Sequence, residues 1–262
     1  MEGSGRVAER KDWPRVAIVT GASSGIGEAV ARRLVAEGCA VVGNARGADR
    51  LDALERELGP AFAGVAGDAA DGAVQEALFS TARARFGREA DLVVVNAGRG
   101  LGGAVSAADL SRFEEVVRTN LVGATALLQR AAQRMLAGLA DRPYPGHAAD
   151  IVVLGSVAGR NVSPFSAVYG STKFAIHAVA EGLRREIGPK GIRVTLVEPG
   201  IVLTGFQAVA EYTDAQVEGF RRNFGPLLAG EDVARAVSFV VSQPPHVHLA
   251  EIVVRPTRQD YP

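Results

Sequence analysis

The chain has 262 residues, equal numbers of basic and acidic side chains, 29 of each, and a hydrophobic share of 47%. Balanced charge without a basic stripe argues against nucleic acid as a partner, and no apolar run approaches the roughly 18 residues that span a membrane. A chain of this length and composition is typical of one α/β domain with a large core.

The first residues and the single cysteine favour a cytoplasmic protein. Residues 1–14 are polar and lack the apolar segment of a secretory signal, so we expect a flexible tail before one domain over 15–262. A single cysteine, Cys39, cannot form an internal disulfide and has no catalytic context, so it is interpreted as a packed thiol.

Seven short runs rich in β-branched residues predict the strands of one sheet. Most are hydrophobic without alternation, which is the pattern of parallel strands that are buried on both faces. The predicted strands cover residues 16–20, 40–43, 61–66, 92–96, 151–154, 193–198 and 251–254.

Helical patterns separate these strands and give the fold class. They are predicted over residues 25–38, 71–87, 107–139, 166–187 and 231–241. Strands and helices in alternation predict an α/β fold with a doubly wound, seven-stranded parallel sheet and helices on both faces, a Rossmann fold. Ligands of such sheets bind at the carboxyl ends of the strands. Segment 200–230 lacks clear periodicity and is interpreted as a substrate lid.

The segment TGASSGIG joins the first predicted strand to the first predicted helix. Gly21, Gly25 and Gly27 permit a tight turn and let a pyrophosphate approach the amides of a helix N-terminus. The spacing G-x-x-x-G-x-G departs from the usual dinucleotide fingerprint. We interpret the turn as a nucleotide site, with glycines that only ease helix packing as the alternative.

The end of the second predicted strand bears on the choice of nucleotide. NAD-binding folds usually carry an acid there for the adenosine ribose, whereas arginine suits the 2′-phosphate of NADP. This chain has Arg46 just beyond the strand and no acid. We expect NADP(H) to be preferred, NAD(H) not being excluded; the alternative is an ordinary solvated arginine.

Lysine is rare, with three residues against 26 arginines, and one of the three follows a tyrosine by one helical turn. Tyr169 and Lys173 share a helix face at this spacing. An ammonium nearby favours the phenolate, and lysine reaches a phenolate, a ribose hydroxyl or a water where the planar guanidinium fits poorly. The pair is interpreted as an acid/base site, with simple helix neighbours as the alternative.

Other polar residues are expected at the same edge of the sheet, because Ser156 and the segment 96–98 follow predicted strands. The chain also carries a set of short motifs in a characteristic order and spacing. They are TGASSGIG, GDAAD, NAG, RTNLVG, GSVAG, YGSTK and EPGIVLT. Over about residues 15–259 the chain resembles the short-chain dehydrogenase/reductase family in its single-domain form, and within it the NADP-dependent carbonyl and hydroxy-acid reductases.

The resemblance implies a role for each motif residue. Tyr169 would be the catalytic acid/base, Lys173 would lower its pKa and bind the nicotinamide ribose, and Ser156 would hold the substrate oxygen. Asn120 would fix a water of a proton relay. The implied cofactor contacts are Gly21, Ser23, Ser24, Gly25, Ile26, Gly27, Arg46, Asp68, Ala69, Asn96, Ala97, Gly98, Tyr169, Lys173, Pro199, Gly200, Val202 and Thr204. Ser24 stands where many NADP-preferring relatives have a basic residue.

These observations lead to one main hypothesis and two alternatives. The main hypothesis is an NADP(H)-dependent oxidoreductase that transfers a hydride between nicotinamide and the carbonyl or alcohol carbon of a small, partly hydrophobic substrate. The alternatives are an NAD-dependent alcohol dehydrogenase and a non-catalytic NADP-binding sensor or scaffold. Candidate substrate contacts in the lid are Leu203, Phe206, Val209, Tyr212 and Phe220.

Two further expectations concern metals and assembly. His246 and His248 are too few to hold a metal without further ligands, so no metal site is expected. The resemblance implies a homodimer or homotetramer paired through its long helices, and the wide apolar face of the predicted helix 166–187 agrees with it.

Overall fold

Seven parallel strands form the centre of the molecule in the computed structural model, which describes residues 13–210 and 212–260. The spatial order is β3-β2-β1-β4-β5-β6-β7. The strands are β1 Val16–Thr20, β2 Ala40–Ala45, β3 Phe62–Ala66, β4 Leu92–Val95, β5 Ala149–Leu154, β6 Ile192–Pro199 and β7 Glu251–Val254. The strand order reverses between β1 and β4, which opens a crevice at the carboxyl ends there. The predicted doubly wound, seven-stranded sheet is confirmed.

Helices cover both faces of the sheet, because each buries an apolar stripe against it. Helices α1, α2 and α9 pack on one face, and α3, α5 and α6 pack on the other. The helices are α1 Gly25–Ala36, α2 Ala48–Leu58, α3 Gly72–Phe86, α4 Phe113–Val117, α5 Ala124–Gly138, α6 Ala167–Ile187, α7 Phe206–Val209, α8 Asp214–Phe224 and α9 Gly230–Val241.

Helix α3 illustrates how the sequence sets a boundary. The Asp71 side chain accepts a hydrogen bond from the amide of Ala73 at 2.7 Å and caps the first turn. Gly87 ends the helix with a φ of 80°, a conformation that favours glycine. Both signals were visible in the sequence, and both boundaries are where they predict.

The structure differs from the sequence-based expectations in four places. Helix α2 was not predicted. No side chain caps its N-terminus, and the whole helix buries only Leu51 and Leu54. Trp13, assigned to the tail, lies in the core against Phe86, while residues 1–12 of the predicted tail lie outside the described residues. The predicted long helix is interrupted by a π-helical segment, Arg118–Gly123, and the lid segment contains α7 and α8.

Within residues 13–210 and 212–260, no helix combines the length and the apolar character that crossing a bilayer requires.

Candidate active site

The glycine-rich turn after β1 is held from the neighbouring strand. Gly21 and Gly25 have φ angles of 69° and 57°, which favour glycine, and a Cβ at Gly27 would overlap the Gly21 carbonyl. The Asn96 side chain, just beyond β4, donates to the carbonyl of Thr20 at 2.8 Å. The turn is therefore fixed close to the carboxyl end of β4, at the crevice.

The turn also fits the phosphate groups of a dinucleotide. Ser24 precedes α1, and within the described part of the chain its side chain makes no capping hydrogen bond to the first-turn amides. Helix N-terminal amides and their dipole attract anions. Thr204 closes the opposite side, since a Cβ at Gly25 would come within 3.0 Å of its Cβ. Ser23 and Ile26, the other predicted contacts here, are partly buried in the same turn.

Residues predicted to bind the adenosine end lie beyond β2 and β3. Asn44 joins these strand ends by donating to the carbonyls of Val65 and Gly67 at 3.0 and 3.1 Å. Arg46 is exposed just beyond β2. Asp68 accepts from the amide of Ala70 at 2.9 Å and pairs with Arg118 at 3.0 Å, while the carbonyl of Ala69 accepts from Gln75 at 2.8 Å.

The segment predicted to contact nicotinamide is anchored by a residue from the C-terminus. Gln259 accepts a hydrogen bond from the amide of Ile201 at 3.0 Å, and a Cβ at Gly200 would overlap its side chain. Pro199 ends β6, and Val202 forms a β-bridge with Leu228. The sequence analysis did not single out Gln259, because no local motif links it to a turn 58 residues earlier.

Tyr169 and Ser156 meet at the carboxyl end of β5. Tyr169 lies in a small apolar cluster, and the ring of Phe206 from the lid packs on it with centroids 5.6 Å apart. Burial raises the pKa of Tyr169 above its ordinary value, and a hydrogen bond with the Ser156 side chain partly opposes that rise. The hydroxyl of Ser156 is itself fixed by the amide of Ala158, which donates to it at 3.1 Å.

Lys173 is buried beside this pair and bonds to the backbone. Its Nζ donates to the carbonyl of Leu154 at 2.8 Å and lies 5.9 Å from the centroid of the Tyr169 ring. Burial lowers the pKa of Lys173 to about 8. Burial is the largest influence on the pKa of Tyr169, and the predicted lowering of that pKa by the Lys173 ammonium stays a prediction.

Asn120 lies in the π-helical segment, where the wider turn is a common feature of functional sites. Its Oδ1 accepts from the amide of Arg99 at 2.8 Å, and its Nδ2 donates to the Arg99 carbonyl and to Thr172 Oγ1. A Cβ at Gly98 would lie 3.4 Å from Asn120 Oδ1 and 3.8 Å from Lys173 Nζ. Asn120 therefore ties the segment after β4, which holds Asn96, Ala97 and Gly98, to α6.

The described part of the chain offers no metal site. Among residues 13–210 and 212–260, no group of three or more His, Cys, Asp or Glu side chains is placed to hold a metal ion. His248 instead has its Nε2 2.9 Å from the carbonyl of Val194.

The site can be compared with known proteins. The sequence profile of the short chain dehydrogenase family matches residues 15–214. A serine 3-dehydrogenase of Rhizobium radiobacter is 34% identical over 246 residues, which are 93% of this chain and 94% of that protein. An uncharacterized oxidoreductase of Staphylococcus epidermidis is 32% identical over 242 residues, 92% of this chain and 97% of that protein.

The chain is also similar to proteins whose structures were solved with a bound nucleotide. The closed form of a serine dehydrogenase complexed with NADP+ superposes with a TM-score of 0.83 at 30% identity, covering 94% of this chain and 96% of that one. A 3-ketoacyl-(acyl-carrier-protein) reductase from Brucella melitensis complexed with NADH also reaches 0.83, at 26% identity over 95% and 99% of the two chains. These likenesses support binding of a nicotinamide dinucleotide. The chain belongs to the short-chain dehydrogenase/reductase family, the oxidoreductases that act on CH–OH and C=O groups.

Proposed function

We propose that the protein is an NADP(H)-dependent oxidoreductase that transfers a hydride between nicotinamide and the carbonyl or alcohol carbon of a small, partly hydrophobic substrate, with Tyr169 as acid/base. The observation that carries this proposal is that Ser156 and Tyr169 come together at the carboxyl end of the sheet, with the buried ammonium of Lys173 5.9 Å from the centroid of the Tyr169 ring. A binding protein without turnover has no need of this buried set.

The residues divide the chemistry between them. Bound nicotinamide supplies or accepts the hydride. Ser156 presents its hydroxyl to the substrate oxygen and stabilises the charge that develops there. The raised pKa of Tyr169 keeps the phenol protonated at neutral pH, so in carbonyl reduction it donates a proton to the forming alkoxide. Lys173 holds the nearby positive charge, and Asn120 fixes the helix that carries both.

The end of β2 supports NADP over NAD. The strand ends in Asn44 and Ala45, and the next residue, Arg46, offers an exposed guanidinium rather than a carboxylate. Guanidinium binds phosphate through paired hydrogen bonds, whereas an acid would repel the 2′-phosphate. An NAD-dependent enzyme is the second candidate, favoured by Ser24 in the glycine-rich turn and by the neighbour solved with NADH.

The lid supports a substrate with an apolar part. Phe206 packs on Tyr169, and the ring of Tyr212 packs against that of Phe220 with centroids 5.7 Å apart. A substituent that enters between these rings and Ser156 would be surrounded by carbon. The relatives named serine 3-dehydrogenase make serine and other small β-hydroxy acids the polar comparison in any substrate panel.

The proposal includes a homodimer or homotetramer in the cytoplasm. Phe174 on α6 is 41% exposed, and Val162 and Phe165 just before this helix are 68% and 72% exposed. Apolar exposure of this kind marks contact surfaces. Light scattering at micromolar protein should give a mass of two or four chains, and a monomer would contradict the assembly.

The function is tested with purified protein. NADPH oxidation is followed over a panel of ketones, aldehydes, keto acids and the product of serine oxidation, with NADH in parallel. Turnover with NADPH that falls by about 100-fold or more in Tyr169→Phe would support the proposal. Tight NADPH binding without turnover on any of these carbonyl compounds would favour a non-catalytic role and contradict the proposal.

A further inference from the structure

His177 lies on α6 one turn beyond Lys173 and contacts the backbone of Ser156. The last ladder bond of β5 runs from the amide of Gly155 to the carbonyl of Val197 at 2.8 Å. One residue later the amide of Ser156 donates instead to Nε2 of His177, at 3.3 Å. The ring therefore holds the chain where β5 has ended and the catalytic hydroxyl must be placed.

A buried carboxylate stands on the other side of the ring. Nδ1 of His177 lies 3.8 Å from Oε2 of Glu198, a side chain of β6 that is fully buried. Arg160 fixes this carboxylate with two bonds, Nε to Oε2 at 3.0 Å and Nη2 to Oε1 at 2.6 Å. Arg160 also pairs with Glu251 on β7 at 2.7 Å. The carboxylate favours a proton on Nδ1, which leaves Nε2 free to accept from Ser156.

The glycines around Ser156 fit the ring. A Cβ at Gly155 or at Gly159 would overlap the imidazole of His177. The ring thus lies directly against the backbone on both sides of the serine, and the Leu196 side chain also approaches Gly155. Two glycines and one histidine, far apart in sequence, form one packed unit.

The electrostatics keep this ring neutral. Burial lowers the pKa of His177 to about 4, the charges of Lys173 and Arg160 act in the same direction, and Glu198 and Glu251 oppose them. A neutral ring adds no positive charge beside Lys173, whose own pKa is already lowered.

We propose that His177 is a positioning residue for the reaction: its ring, oriented by Glu198 and Arg160, fixes the backbone of Ser156 and thereby the hydroxyl that faces Tyr169. The inference rests on the proposed function, in which Ser156 holds the substrate oxygen. His177 touches neither substrate nor nucleotide in this scheme, so it should act on turnover and leave nucleotide binding unchanged.

The first test compares two substitutions of the histidine. His177→Gln keeps an acceptor near the position of Nε2, whereas His177→Leu removes it. We expect kcat of His177→Leu to fall about 10- to 100-fold, because small misplacements of a reacting group have effects of that size. The NADPH dissociation constant should stay unchanged, and His177→Gln should recover most of kcat. His246→Leu, at an exposed histidine, is the matched control.

Two kinetic outcomes would overturn the inference. One is wild-type kcat in His177→Leu. The other is an equal loss of kcat in both variants together with an equal loss of thermal stability, which would indicate a packing role only. A wild-type protein without turnover would instead contradict the proposed function, and a second readout then decides the role of His177.

That readout is the tautomer of the ring in the wild-type protein. The chain has four histidines, so 15N-labelled rings give few signals, and the one lost in His177→Gln is assigned directly. We expect a protonated Nδ1 and a bare Nε2, unchanged from about pH 8 to about pH 5. A proton on Nε2, or titration near the ordinary value of 6.5, would exclude the bond to Ser156.

Discussion

Two buried positions at opposite edges of the sheet, the acids of the amino edge and Lys173 at the carboxyl edge, differ in how their charges are compensated. At the amino edge, Arg15, Asp91, Asp150 and Arg193 lie on or beside the adjacent strands β1, β4, β5 and β6, and every one is paired. At the carboxyl edge, the buried ammonium of Lys173 is held by a backbone carbonyl. The arginines and acids of the amino edge neutralise one another, whereas the ammonium of Lys173 bonds to a carbonyl and to no carboxylate among the described residues.

The amino edge is a network of arginines around two acids. Asp150 is bound by Arg193 through two bonds, at 2.6 and 2.9 Å, and by Arg15 at 2.7 Å. Asp91 pairs with Arg15, Arg88 and Arg142. Burial alone would raise the pKa of Asp91, yet His147 and the neighbouring cations lower it. Planar guanidinium groups with many donors suit this task, because each satisfies several acceptors at once.

The carboxyl edge needs a cation that is only partly compensated. Burial lowers the pKa of Lys173 to about 8, which no guanidinium would reach. Under the proposed function, this difference accounts for a lysine at position 173 in a chain so rich in arginine. A charge that is fully paired stabilises the fold, whereas a buried ammonium without a carboxylate partner keeps donors for a substrate or a ribose hydroxyl.

Lys173→Arg has the largest expected effect, because it replaces the buried ammonium of the carboxyl edge by the cation used at the amino edge. The broader guanidinium cannot occupy the buried space beside Leu154 and Tyr169 in the same way, so the positive charge moves away from the phenol. We expect kcat/KM to fall by about 10²- to 10⁴-fold, the size of a lost acid–base contribution. Steady-state kinetics with NADPH measure it.

The matched control is Lys190→Arg, since Lys190 is an exposed lysine near the C-terminal end of α6. It should retain wild-type kinetics. Equal activity of Lys173→Arg and Lys190→Arg would show that any cation suffices at position 173, and the contrast between the two edges would lose its functional meaning.

Asp150→Asn breaks the opposite edge. It leaves the guanidinium of Arg193, which is 5% exposed, and that of Arg15 without their shared carboxylate. Removing one partner of a buried pair costs about 3–5 kcal/mol, so the free energy of unfolding in urea should drop by this amount. Turnover of the folded fraction should not change, because the proposed reaction site lies at the other edge.

A surface pair provides the reference for that measurement. Glu57 binds Arg32 at an exposed position, and ion pairs that are open to solvent contribute little to stability. Glu57→Gln should therefore unfold close to the wild type. A loss in Asp150→Asn no larger than this would mean that the amino-edge network contributes little to stability.

Sequence reasoning found the sheet more readily than the contacts at its edges. All seven strands were predicted, and the central ones stand out as local hydrophobic runs because parallel strands there are buried on both faces, whereas β7 at the end of the sheet is partly exposed. Helix α8 was missed although Val217, Phe220 and Phe224 lie on one face of it. None of its residues is fully buried, so this short apolar face does not stand out in the sequence as a core-facing stripe does.

The candidate site was predictable where spacing along one element decides proximity. Tyr169 and Lys173 share a face of α6 by helical geometry alone, and their roles stay predictions. The contacts of Ser156 with His177 and of Ile201 with Gln259 join residues 21 and 58 positions apart. Such contacts depend on how a helix and the C-terminal segment pack on the sheet, which no local pattern encodes.

Lys173→Met tests whether burying the Lys173 ammonium destabilises the folded protein. Burying this ammonium lowers its pKa from 10.5 to about 8, a cost of about 3 kcal/mol at neutral pH. Methionine removes the cost, although the carbonyl of Leu154 then loses its donor. We expect a variant without activity that is more stable than the wild type by about 1–2 kcal/mol at pH 7.

The sign of the pH dependence identifies the cause. Below pH 8 the lysine is charged in the folded and unfolded states, and the wild type carries the whole cost. Between pH 8 and 10.5 the folded state has lost the proton that the unfolded state still holds, so the wild type gains stability relative to the variant. Urea unfolding at about pH 7 and pH 10 measures the change; a difference that does not shrink would exclude charge burial as its origin.

Arg46→Ala gives the smallest expected effect and extends the comparison to an arginine at the carboxyl edge. Arg46 is exposed beyond β2, so its removal should change the free energy of unfolding by less than about 0.5 kcal/mol. If the guanidinium binds the 2′-phosphate, KM for NADPH should rise about tenfold and KM for NADH should not change, since NADH lacks that group. Arg50→Ala, at an exposed arginine within α2, is the control. Equal KM values for NADPH in both variants would show that Arg46 does not bind the 2′-phosphate and would remove the argument for NADP.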